Sequence, residues 1–159
     1  MKILMVCLGN ICRSPIAEGI LRQKALDARL YDLIVDSCGF ERYHLGNPPD
    51  ERATKVCKNH NIDISELRQR LFKVNDFDIF DRIYVMDSNN YSDVQRMTRN
   101  ADDLNKVDYI LNTIYPNTNT AVPDPYYGSS KNFEEVYQLL NAACDEIIKE
   151  LIRGRKRRS

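Results

Sequence analysis

Cys7 and Arg13 lie six residues apart in "VCLGNICRSP" (6–15), with Gly9, Asn10 and Cys12 between them and Ser14 directly after. A thiol beside a helix N-terminus and an arginine ionises readily, and the thiolate is the nucleophilic form. The planar Arg13 fork matches two oxygens of a phosphate. Gly9 is expected to give the turn backbone freedom. Asn10 tolerates the left-handed region and can brace a tight loop with its amide. Ser14 is placed to donate a hydrogen bond to the sulfur. The loop lacks the G-K-[ST] ending of a nucleotide P-loop. It reads as an anion cradle with a thiol at its base, a nucleophile aimed at phosphorus. Cysteine followed by arginine at this spacing is a weak signal alone. Its weight comes from the company it keeps.

Phosphoryl transfer to cysteine needs a proton donor for the departing oxygen. "PDPYYG" (123–128) supplies Asp124, held between two prolines whose fixed backbone angles limit where the carboxylate points. Tyr126 and Tyr127 are candidate walls for an aromatic leaving group. An ordinary polar turn with two aromatics packed on the core is an equal reading of this loop taken alone.

These groups need a scaffold, and strand-like and helix-like segments alternate along the chain. "KILMVCL" (2–8) reads as a buried strand, and residues 15–30 follow with apolar positions at helical spacing. Ser14 and Pro15 suit the N-cap and first turn of that helix. Further strands are expected at 33–38, 81–87 and 107–114. Helices are expected at 48–60, from 88 to about Arg99, and at 132–153. The alternation predicts an α/β fold: one domain, an open, doubly wound parallel sheet of about four strands with helices on both faces. In such sheets ligands bind beyond the carboxyl ends of the strands, near the first crossover. The turn 7–14 lies there, where a helix N-terminus attracts anions. The longest irregular stretch, 115–131, carries Asp124, and loops of that length tend to be functional.

The 159 residues fit a single domain with a substantial core. No apolar run approaches bilayer-spanning length and the N-terminus does not resemble a signal peptide. Five scattered cysteines suit reduced thiols in a cytoplasmic protein, and the absence of C-x-x-C with only two histidines argues against structural zinc. The net charge is zero, but residues 153–159 hold five of the 23 basic side chains, so the remaining 18 face 23 acidic ones. Residues 1–152 are thus expected as the domain and 153–159 as a basic tail. Solvation is the plain reading of that tail; contact with anionic lipid or nucleic acid is the alternative.

Five segments in order, "VCLGNICRSP", "VDSCG" (35–39), "GNPPD" (46–50), "FDRIYVMD" (80–87) and "DPYYG" (124–128), resemble the low-molecular-weight protein tyrosine phosphatases over nearly the whole chain. The resemblance implies a phosphotyrosine phosphatase I-like fold acting on tyrosine-phosphorylated proteins, with no cofactor and no metal. It implies Cys7 as nucleophile, Arg13 as phosphate clamp and Asp124 as general acid, working through a phosphocysteine. Leu8, Gly9, Asn10, Ile11, Cys12 and Ser14 then form the phosphate cradle, with Tyr43, Tyr126 and Tyr127 as cleft walls. Asn10, Ser14 and Ser37 brace the loop, and Cys12 can trap oxidised Cys7 as a disulfide. The family usually has a histidine in the segment "ISELRQRL" (64–71), hydrogen-bonding toward the loop asparagine; here Leu67 aligns with it. Either water or another polar group braces Asn10, or the loop is softer. Two rival readings are an arsenate reductase, whose disulfide relay has only Cys144 available after Cys57, and a non-catalytic phosphate- or phosphopeptide-binding module.

Overall fold

In the computed structural model, which describes residues 1–158, four parallel strands run in the order β2-β1-β3-β4. They are β1 (Lys2–Val6), β2 (Ile34–Cys38), β3 (Arg82–Val85) and β4 (Val107–Tyr109). β1 pairs with β2 from Lys2↔Ile34 to Val6↔Cys38 and with β3 from Ile3↔Arg82 to Val6↔Val85. Its central place explains the unbroken apolar run at 3–6, because both faces of the strand are covered. Ile3 and Met5 enter one core with Ile16, Ile20, Phe133 and Leu140, while Leu4 and Val6 enter the other with Phe77 and Val94. That split is the two-residue period of a strand.

Helices cover both faces: α1 (Arg13–Asp27), α2 (Glu51–Asn59), α3 (Asp76–Ile79), α4 (Ser88–Gln95), α5 (Ala101–Asn105) and α6 (Ser130–Lys156). The parallel sheet, with helices on both faces, is the expected architecture. Details differ. The fourth strand ends at Tyr109, because Ile110–Thr113 turn into a 3₁₀ helix. The helix after β3 stops at Gln95, and Asn100 caps a separate short helix. α2 is opened by the Asp50 carboxylate, which accepts the Arg52 N–H, and not by the prolines, which precede it. α6 runs past residue 152, so residues 153–156 continue the domain's last helix; Ser159 lies outside the described residues. No helix among the described residues is long and apolar enough to cross a membrane.

Candidate active site

The chain leaves β1 at Val6 and enters α1 at Arg13, so the intervening turn rises from the carboxyl end of the central strand. Asn10 holds the left-handed conformation there, with φ of 53°. Gly9 does not: an added Cβ would meet its neighbours at ordinary contact distances of 3.5 Å. The glycine the turn requires is Gly39, after β2, where a Cβ would lie 2.6 Å from the Leu8 carbonyl oxygen and 2.9 Å from the Asn10 nitrogen. Ser14 is not the N-cap of α1 either. That position is Cys12, with no capping side chain; the Ser14 N–H points at the Cys7 sulfur and Pro15 has none, so the Arg13 N–H is the one the first turn leaves to an anion. The Ser14 hydroxyl turns inward instead.

Cys7 is buried at the base of the loop, its Sγ 3.0 Å from Ser14 Oγ and 3.4 Å from the Ser14 N–H. Asn10 Nδ2 donates to Ser14 Oγ at 2.8 Å and to Ser37 Oγ at 2.9 Å. Each serine has one proton to give. With Asn10 supplying both acceptor bonds, Ser14 directs its proton to Cys7 or to the Cys38 carbonyl at 3.4 Å, and Ser37 directs its proton to Glu18 Oε2 at 3.3 Å. Asn10 Oδ1 accepts the backbone N–H of Arg70 at 3.1 Å. The brace that Leu67 cannot give is therefore a main-chain group three residues further on.

Arg13, only 3 % exposed, donates from Nη1 to Asp87 Oδ2 at 2.7 Å and to the Val122 carbonyl at 3.0 Å, and its Nη2 lies 3.8 Å from Asp124 Oδ2. Burial works against the guanidinium charge, but the Cys7 sulfur, Asp87 and Asp124 outweigh it and hold its pKa above the ordinary value. Asp87 also accepts the Asn90 N–H as N-cap of α4, so one carboxylate fixes a helix start and the arginine fork together. Burial, then Asp50, pushes the Cys12 thiol far above its usual range. Cys12 is held protonated.

The cleft encloses about 500 Å³. Cys7, Leu8, Gly9, Ile11, Cys12, Arg13, Asp124, Tyr43, Tyr126 and Tyr127 line it, whereas Asn10, Ser14 and Ser37 stand behind the loop. Asn10 and Ser14, expected both in the cradle and as braces, turn their side chains to the brace. Tyr43 and Tyr127 are 88 % and 95 % exposed, so they stand at the mouth rather than in a closed wall. Asp124 is half exposed, and its Oδ1 accepts the Tyr126 N–H at 3.1 Å. Arg52 steadies this loop by donating to the carbonyls of Tyr126 at 2.8 Å and Gly128 at 3.2 Å. Sequence reasoning missed Glu41, Arg42 and His44, which line the cleft beside Tyr43, and the supports Asp87, Arg52 and Arg70. The "GNPPD" and "FDRIYVMD" segments were the available signal, since Asp50 and Asp87 close them. No group of three or more His, Cys, Asp or Glu side chains among the described residues is arranged to hold a metal ion.

A sequence profile described as low molecular weight phosphotyrosine protein phosphatase matches residues 2–157. The low molecular weight protein-tyrosine-phosphatase PtpA of Staphylococcus saprophyticus is 38% identical over 151 residues, covering 95% of this chain and 94% of its own. A protein tyrosine phosphatase from Entamoeba histolytica, solved with Hepes in its active site, superposes with a TM-score of 0.90 at 36% identity, covering 98% and 99% of the two chains. A Drosophila arginine phosphatase superposes with a TM-score of 0.88 at 28% identity, over 95% and 98%.

Proposed function

The chain belongs to the low-molecular-weight phosphotyrosine protein phosphatase family, and from that premise we propose how its residues divide the work of hydrolysing phosphotyrosine through a phosphocysteine. The observation that carries the assignment is the Cys7 sulfur held by the Ser14 hydroxyl at 3.0 Å and the Ser14 N–H at 3.4 Å at the start of α1, with Arg13 and Asp124 at the same cleft.

In the first step the Cys7 thiolate forms a bond to phosphorus in line with the scissile P–O bond. That bond breaks, and Asp124 gives its proton to the departing phenolate oxygen. Loop N–H groups and the Arg13 fork hold the equatorial oxygens, where most catalysis of phosphoryl transfer resides. In the second step the Asp124 carboxylate takes a proton from water as its oxygen bonds to phosphorus. The S–P bond breaks, inorganic phosphate leaves, and the thiolate, again accepting the Ser14 hydrogen bond, is restored. The exposed Tyr43 and Tyr127 flank the mouth, which suits a phosphotyrosine presented on a protein surface.

Cys57 and Cys144 are both fully buried, and burial pushes each thiol up to about 12, which supports the phosphatase over an arsenate reductase that needs accessible relay thiols. Five free cysteines support a reducing, cytoplasmic setting. The test is hydrolysis of phosphotyrosine, phosphoserine, phosphoarginine and small aryl phosphates in EDTA. Preference for the tyrosine and aryl esters is expected; preference for phosphoarginine would overturn the substrate, and release of no phosphate from any ester would leave only binding.

A further inference from the structure

We propose that the amino-terminal end of the sheet, opposite the cleft, docks on an anionic phospholipid membrane. Because α6 continues to Lys156, its last turns bring Arg153, Arg155, Arg157 and Arg158 to a hollow of about 490 Å³ that Arg82 also lines. Two acids share it. Glu150 pairs with Arg82 at 3.0 Å, and Asp32 pairs with Arg155. Arg153, Arg157 and Arg158 have no side-chain hydrogen bond or ion pair among the described residues, so the hollow keeps three uncompensated positive charges.

A second hollow of about 260 Å³ adjoins it, sharing Leu30 and Leu33. Here, beside Arg22, the exposed side chains are apolar: Leu26 is 56% exposed, Tyr31 73% and Ile34 51%. Met1, 42% exposed, extends the patch, since the Ile34 N–H bonds to its carbonyl. Large apolar side chains gathered on a surface mark a contact site.

The two halves together select the occupant. Guanidinium forks match lipid phosphates, and arginines near an anionic leaflet each contribute about fivefold to binding. Aliphatic side chains and a tyrosine reach the boundary between headgroups and acyl chains. A nucleic acid would satisfy the arginines and leave the aliphatic half unmatched. Geometry also permits the contact during turnover. Met1 directly precedes β1, Ile34 and Arg82 open β2 and β3, and Cys7 follows the end of β1, roughly 17 Å away along a five-residue strand. The cleft then faces away from the bilayer.

The test is sedimentation of the full chain with vesicles of phosphatidylcholine alone and with about 30% phosphatidylserine. Binding only to the anionic vesicles, weakening as salt rises, is expected. Arg153→Glu/Arg157→Glu/Arg158→Glu should lose at least about a hundredfold in affinity, and Leu26→Ser/Tyr31→Ser should weaken binding severalfold. Both variants should hydrolyse a soluble aryl phosphate like the parent, which verifies their fold. Equal binding to both vesicles, no binding to either, or parental binding by the triple variant would overturn the proposal. So would displacement by millimolar glycerophosphoserine, which would assign the hollow to a free phosphate ester, or retention on RNA with none on vesicles.

Discussion

Asp124 and Cys12 pose the sharpest questions of residue chemistry. General acid catalysis is worth about 10²–10⁴-fold when the leaving group needs a proton. Phosphotyrosine releases a phenol of pKa about 10, whereas an ester with strongly electron-withdrawing substituents leaves unaided. Asp124→Ala should therefore slow enzyme phosphorylation by phosphotyrosine by about 10²–10⁴-fold and by the activated ester far less. Pre-steady-state rates across a leaving-group series measure this; parallel series for mutant and parent would remove Asp124 from the role. Cys12 lies beside Cys7 in the cleft with its thiol kept protonated by burial. Oxidation of Cys7 to the sulfenic acid would let the Cys12 sulfur displace water and close a disulfide. Peroxide is expected to inactivate the parent reversibly and Cys12→Ser far less reversibly, with peptide mapping locating the bond. Recovery by dithiothreitol to the same extent in both would count against the pairing.

Among the elements, the β1–α1 turn depends on a neighbour that its own sequence does not announce. Gly39 follows β2, and its missing Cβ lets the Leu8 carbonyl and Asn10 nitrogen approach. Both clashing atoms are backbone, so Gly39→Ala must displace the phosphate loop. The expected result is a rise of at least about tenfold in the inhibition constant for inorganic phosphate, since a misplacement of about 1 Å costs up to about a hundredfold at a catalytic site. Unchanged phosphate inhibition would show the loop tolerates the shift. The same distinction explains what could be read from the chain. Cys7, Arg13 and the alternating elements were legible because strand, turn and helix are contiguous and carry their periodicity locally. Asp87 was not, because its bond to Arg13 spans 74 residues and its sequence context fits a plain helix cap. The replacement for the family histidine was illegible for another reason: the group that bonds Asn10 is the main-chain N–H of Arg70, which no side-chain pattern records. The fourth strand was overextended because "ILNT" is apolar enough for a strand and only tertiary packing turns it into a 3₁₀ helix.

At the scale of the whole molecule, Glu18 links the loop's bracing to the stability of the fold. It is 1 % exposed between α1 and β2, with Arg22 on its own helix at 3.1 Å, Ser37 donating from β2, and Asp36 nearby on the same strand. Burial raises its pKa from 4.5 to about 8; Arg22 opposes the rise and Asp36 adds to it. The folded chain therefore keeps a proton on Glu18 between pH 4.5 and about 8, where the unfolded chain has lost it. Stability from this group is fully present below pH 4.5 and falls as pH rises toward 8, by up to about 1.4 kcal/mol per pH unit. Asp50 acts oppositely. Its carboxylate is held below the ordinary range: burial resists this, but bonds from Arg52 prevail, so its contribution is lost as pH falls through its folded pKa. Together these two groups contribute most on the acid side of neutrality. Glu18→Gln keeps an oxygen to accept the Ser37 hydroxyl but has no proton to lose. Urea unfolding from pH 5 to 8 should show the parent's midpoint falling with pH and the variant's staying nearly level, the two curves diverging most at pH 8. Parallel curves would mean that Glu18 is already ionised in the folded protein, and that the carboxylate is stabilised by Arg22 and Ser37 more strongly than burial disfavours it.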